Sequence, residues 1–170
     1  MAPPLSNSST TSADAFLALA GKRQGAIKGE CQTQGHVDDI AVIGWEWGMS
    51  APTAVGSGQA TGRRVHEALV ITKHIDSAST KLMNALATNE ELKSVKLSLR
   101  KAGLVKDDFM TMELRQGRVV GLHVVFDHEG NTREVIRITY QQIDVNYHPQ
   151  LTAGGKGGAM SFSDDMGIAS

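Results

Sequence analysis

Hydrophobic and polar residues alternate along most of this chain, and each run of alternation predicts a β-strand, because strand side chains point to opposite faces with a period of two. The pattern starts near Asp14, where AFLALAG reads as a short apolar strand, followed by a GKRQG turn, by AIKGE and by the polar loop CQTQGHVDD. The strongest early run is IAVIGWEWG, Ile40 to Gly48. There Ala41, Ile43, Trp45 and Trp47 share one face, read as core, while Ile40, Val42, Gly44 and Glu46 share the other. MSAPTAVGSGQATG carries no charge and little apolar bulk, which predicts a long mobile connection over 48–62. RRVHEALVITK follows as a strand with Val65, Leu69 and Ile71 on one face.

One segment changes period. In DSASTKLMNALATNEEL, Leu82, Ala85 and Leu86 fall at helical spacing behind Asp76, Ser77 or Ser79 as N-cap, which predicts a single helix over about 77–88. Alternation then returns with Val95, Leu97 and Leu99. In DFMTMELRQGRVVGLHVVF, Met110, Met112, Leu114, Val120, Leu122, Val124 and Phe126 keep one phase across Gly117, so this is one bent strand or two meeting at that glycine. DHEGNT reads as a hairpin turn.

The segment beyond that turn reverses its facing. Ile138 and Tyr140 occupy even positions, whereas Ile143, Val145 and Tyr147 occupy odd ones. A one-residue bulge near Gln141 and Gln142 accounts for this, bending the strand so that it serves two sheets. A strand with one face on its own core and the other on a neighbouring subunit accounts for it too, and the two readings are compatible. Eight or so strands with one helix describe a mainly β protein, a small barrel or sandwich. Its organisation reads as a Ser/Thr/Pro-rich extension over 1–13, one domain over 14–163 holding a last short strand around Met160 to Phe162, and a flexible tail over 164–170.

Composition narrows the function classes. A chain of 170 residues can bury roughly 70% of its unfolded surface, enough for a core without staples. With 17 basic and 18 acidic residues there is no basic excess for nucleic acid. The single cysteine, Cys31, forms no internal disulfide, and no zinc-ligand spacing accompanies it. MAPPLSNSSTTS lacks the features of a signal peptide and no run approaches the ~20 apolar residues of a membrane span, so cytosolic synthesis without membrane insertion is expected.

Catalysis finds no support either. The six histidines, at 36, 66, 74, 123, 128 and 148, read as surface or structural. GGKGG at 154–158 lacks the strand and helix of a phosphate loop. Asp38 with Asp39, and Asp164 with Asp165, are adjacent carboxylates that point apart on a strand or sit in turns. No GxSxG elbow occurs, and no base stands beside Cys31. Neither a cofactor nor a metal is expected.

Taken as an ordered set, IKGE at 27–30, His36, IAVIGWEWGMS at 40–50, ITKHIDSASTKLMNAL at 71–86, LSLRKAG at 97–103 and the Tyr140 to Gln150 segment ending in NYHPQ resemble the haemolysin-coregulated protein (Hcp) family, the tube protein of type VI secretion systems. The resemblance implies a β-barrel of two sheets with a flanking helix, assembled into hexameric rings that stack into a hollow tube. It implies a structural protein rather than an enzyme. The tube is driven out by a contractile sheath, carries a VgrG-type spike, holds small effector proteins in its lumen, and leaves the cytoplasm without a signal peptide. Glu46, pointing away from the two tryptophans, is the candidate lumen-facing residue. The chain departs from the family pattern in having Thr80 where proline is usual, in its longer N-terminal extension, and in lacking the tryptophan often found in the final strand. The 48–62 loop is a candidate contact with the next ring. The competing reading is a monomeric β-barrel that binds a small apolar ligand inside.

Overall fold

The computed structural model describes residues 13–102, 107–149 and 157–167. In chain order its elements are β1 (Ala13–Gly21), β2 (Gly25–Ala26), β3 (Ile40–Glu46), β4 (Met49–Ser50), β5 (Val65–His66), β6 (Leu69–Lys73), α1 (Ser79–Ala87), β7 (Leu92–Lys101), β8 (Asp108–Arg115), β9 (Arg118–Phe126), β10 (Thr132–Thr139), β11 (Gln142–Tyr147) and β12 (Met160–Asp165). Strands β12, β11, β8, β7, β1, β3, β6, β10 and β9 lie side by side in that order, every pair antiparallel, with β2 beside β1 and β4–β5 forming a separate ribbon. The mainly β architecture with one flanking helix is the one the alternation called for. Among the described residues the hydrogen-bonded ladder runs from β12 at one end to β9 at the other.

The reversal of facing has a different origin from the expected bulge near Gln141 and Gln142. Thr139 faces Arg118 and Gln142 faces Arg115, so two residues drop out of each strand and none is inserted. Both strands turn over together: Ile138 and Val119 are buried on one side of the break, Ile143 and Leu114 on the other. The segment from Asp108 to Phe126 is therefore two strands. Gln116, with φ of 52°, makes the left-handed turn, and a Cβ at Gly117 would meet the Thr139 carbonyl oxygen at 3.2 Å. The Leu92 N–H donates to the Gly117 carbonyl at 2.8 Å and the Gln141 N–H to the Arg115 carbonyl at 3.1 Å, satisfying the groups the break exposes.

Among the described residues the sheet has four register slips, and two of them move residues singled out in the sequence to the other face. Between Val42 and Gly44 the register slips against β6, leaving Ile43 as the extra residue, 47% exposed instead of in the core. Val42 before the slip and Trp45 and Trp47 after it pack on the core. A slip opposite Arg137 and Ile138 makes Val120 the extra residue, so Val119 is buried and Val120 faces out. A one-residue slip inverts every side chain beyond it. Val65 is also exposed, because it pairs with Ser50 in the separate ribbon rather than continuing β6.

Leu17, Ile40, Leu69, Ile71, Leu82, Ile136, Ile138 and Ile143 form the fully buried centre. Helix α1 contributes Leu82 and Ala85 to it, at the spacing that puts both on one face. The N-cap is Ala78, which has no side-chain cap, and not Asp76, Ser77 or Ser79 as expected; the Asp76 carboxylate instead accepts the Ala78 N–H at 3.0 Å in the turn before the helix begins at Ser79. Beneath this turn Lys73 is fully buried, its ammonium 2.8 Å from Asp76 Oδ1, 3.1 Å from Glu134 Oε2 and 3.2 Å from Ser79 Oγ. The Ser79 hydroxyl donates to Glu134 Oε2 at 2.6 Å, so four side chains pin the helix start to β6 and β10.

The β1–β2 turn is held by Glu90, a buried carboxylate that accepts the Gln24 side-chain amide at 2.8 Å and the backbone N–H groups of Arg23 and Gln24 at 2.9 and 3.0 Å. The Gln24 amide, aided by these N–H groups, holds the Glu90 pKa below the usual carboxylate range. A folded-state pKa below the unfolded one adds stability that is present above the unfolded value and is lost as pH falls through the folded one. Glu90→Gln should therefore lower the melting temperature at neutral pH and narrow the gap to the parent as the buffer is acidified. A gap that stays constant with pH would show that the contact does not titrate.

Candidate assembly site

The ladder has two unlike end strands. On β9, Val124, Val125 and Phe126 are exposed, Phe126 at 72%. At the opposite end Met160 and Phe162 on β12 and Tyr147 on β11 are exposed as well. An edge strand carries unpaired N–H and C=O groups that other chains can pair with, and apolar side chains gathered at such an edge mark a contact surface.

A third exposed feature is the β4–β5 ribbon, where a structureless connection was expected. Met49 pairs with His66, Ser50 with Val65, and Thr53 with Ala60, making an arm with Val55 near its tip. No residue from Met49 to Val65 is buried.

Side chains fix the root of the arm. The Arg64 guanidinium donates to both oxygens of Asp164, each at 2.5 Å, and His66 Nε2 lies 2.8 Å from Asp164 Oδ2. His66 Nδ1 is 3.2 Å from the Tyr140 hydroxyl, which also takes a hydrogen bond from the Trp47 indole N–H and reaches the Glu67 carbonyl at 3.2 Å. Arg64, followed by His66, keeps the Asp164 carboxyl far below its ordinary range, and burial raises the Tyr140 phenol. A carboxylate bound by a guanidinium on both oxygens is held rigidly. β12 thus extends through Asp164 and Asp165, past the expected boundary at 163, because Asp164 binds the arm and Asp165 accepts from the Gln142 amide at 2.7 Å.

Glu46 is exposed on β3, opposite the face that carries Trp45 and Trp47, and its register partner is Val70. Several of the other polar residues singled out in the sequence have structural partners. His36 stacks on Phe16 with ring centroids 4.1 Å apart, its nitrogens 2.7 Å from Asp39 and 2.9 Å from Asp108. Asp38 pairs with Lys28 at 3.6 Å, and Cys31 is a buried free thiol. Among the described residues no group of three or more His, Cys, Asp or Glu side chains could hold a metal ion. The GGKGG stretch lies partly outside the described residues. Sequence reading did not find the arm root, since Arg64 and Asp164 are 100 positions apart.

A family profile described as "Type VI secretion system effector, Hcp" matches residues 16–147. The chain is 28% identical over 158 residues to the "Major exported protein" of Pseudomonas aeruginosa, covering 82% of this chain and 92% of that one. It is 30% identical over 138 residues to "Protein hcp1" of the same organism, covering 79% and 85%. Among solved structures, the Hcp1 protein from the E. coli EAEC 042 pathovar, in a mutant form, superposes with a TM-score of 0.76 at 26% identity, over 91% of this chain and 99% of that one. A structure titled "Structure of a type six secretion system protein" gives a TM-score of 0.81 at 24% identity, over 91% and 96%, a likeness of fold.

Proposed function

The chain belongs to the Hcp family of type VI secretion, whose members are secreted β-rich tube proteins, and from that premise we propose that it closes into hexameric rings which stack into the tube of such a system. The observation that carries the ring is the pair of unlike apolar edges, β9 and β12, at opposite ends of one ladder. A patch that meets a different patch on the next copy is a heterologous contact, and heterologous contacts generate rings when the rotation closes.

In this reading the protein is made in the cytoplasm, is enclosed by a contractile sheath, carries a VgrG-type spike at one end, and holds small effector proteins in its lumen. The arm over 48–62 reaches the next ring. The work is structural: His36, His66, Asp39 and Asp164 bind one another or neighbouring side chains and hold the fold. The interior is filled by Leu17, Ile71 and Ile136, which speaks against a monomeric barrel built around an apolar ligand.

Multi-angle light scattering should return the mass of six subunits, with annular particles in negative stain. A chain that stays monomeric at high concentration overturns the proposal. Export should vanish in a strain without a working sheath, and equal release from both strains counts against it.

Glu46 is proposed to face the lumen. Glu46→Trp removes no core packing, so the melting temperature and ring mass should stay as they are while retention of co-expressed effector changes. Loss of the ring would place Glu46 at a subunit contact instead.

A further inference from the structure

We propose that Asp164 is a latch between the C-terminal strand and the arm, so that docking of β12 and ordering of the arm over 49–66 are a single coupled event. The arm has no packing of its own, since nothing from Met49 to Val65 is buried, and its ladder does not join the main sheet. A lone two-stranded hairpin is marginal in water, so what orders this one lies at its root. Two anchors stand there. Tyr140, at the break between β10 and β11, holds His66 and Trp47. Asp164 holds Arg64 through both carboxylate oxygens and His66 through one, and Arg64 also reaches the Asp165 carbonyl at 3.4 Å.

The two anchors differ in what stands behind them. Tyr140 sits in a ribbon flanked by β6 and β8, whereas β12 ends the ladder and, among the described residues, is bonded to β11 alone. β12 is therefore among the elements that open most readily, and each opening takes the arm's charged anchor with it. Coupling between two sites is reciprocal, so loosening the arm must also loosen β12. A strand or ligand that tightens β12 from its free edge would order the arm without touching it.

Hydrogen exchange on the full chain, with its mass recorded in the same samples, tests the latch separately from ring assembly. In Asp164→Ala the Ala54 and Thr61 amides, which bond across the arm, should exchange roughly 5- to 30-fold faster, while amides of β7 keep their rates. Arg64→Ala should speed the amides of β12 by a similar factor, although the two segments are far apart in the chain. Asp164→Asn, which keeps the shape and loses the charge, serves if the alanine variant folds poorly. Combining Arg64→Ala with Asp164→Ala should add little to either alone. Arm amides unmoved by both Asp164 variants, or β12 amides unmoved by Arg64→Ala, would overturn the latch whatever the ring does.

Discussion

Replacing Lys73 by alanine should cost about 3–5 kcal/mol of folding free energy, the range for breaking a buried ion pair by deleting one partner. Lys73 is fully buried, and its ammonium lies between Asp76 and Glu134, the latter also fully buried. Without it the Glu134 carboxylate remains in the core with, among the described residues, the Ser79 hydroxyl as its one donor, beside the start of α1. Domains of this kind have about 5–15 kcal/mol in total, so the variant should unfold at much lower urea with an unchanged slope. The double change Lys73→Met with Glu134→Leu removes the two fully buried charges, leaving Asp76, which is 11% exposed, and should recover part of the loss, since apolar side chains of similar volume often replace a buried pair without penalty. A Lys73→Ala midpoint within error of the parent would mean that water reaches these carboxylates.

Leu82→Ala should cost about 2–5 kcal/mol, the transfer of a leucyl side chain plus the cavity it leaves. Leu82 is fully buried on the inner face of α1, among Ala78, Ala85 and the sheet residues of the core. Small neighbours on its own helix cannot swell into the gap, which argues for the upper half of the range. Met83, one position on, is 40% exposed, and Met83→Ala should stay within about 0.5 kcal/mol, the usual limit for surface sites. Equal costs at the two positions would mean that the helix is rotated from the facing described.

These two cases show what the sequence could and could not disclose. The α1 face was legible because Leu82, Ala85 and Leu86 obey one helical period, and β7 because Val95, Leu97 and Leu99 run through an unbroken register against β1 and β8. The facing of Ile43 and Val120 was misread because a bulge is a backbone insertion with no compositional mark, and alternation carried across it predicts the wrong side. The corner at Tyr140 and Gln141 left a visible reversal, yet its cause needed the partner strand, where Gln116 and Gly117 drop out in step. The Lys73 network did leave a trace. Lys73 is in phase with Leu69 and Ile71, Glu134 with Ile136 and Ile138, and the two are register partners. The arm root left none, because no periodicity links Arg64 to Asp164.

The position of β1 has a consequence for how the protein comes into being. It lies between β3 and β7, paired with Lys101 at one end and Leu92 at the other, so its second neighbour is synthesised long after it. At 5–20 residues per second that interval is roughly 4–16 s. Sheets that depend on such distant pairings already fold in the slower, millisecond-to-second class. During synthesis, AFLALAG therefore waits as a greasy, half-matched ribbon before it becomes the middle of a wall.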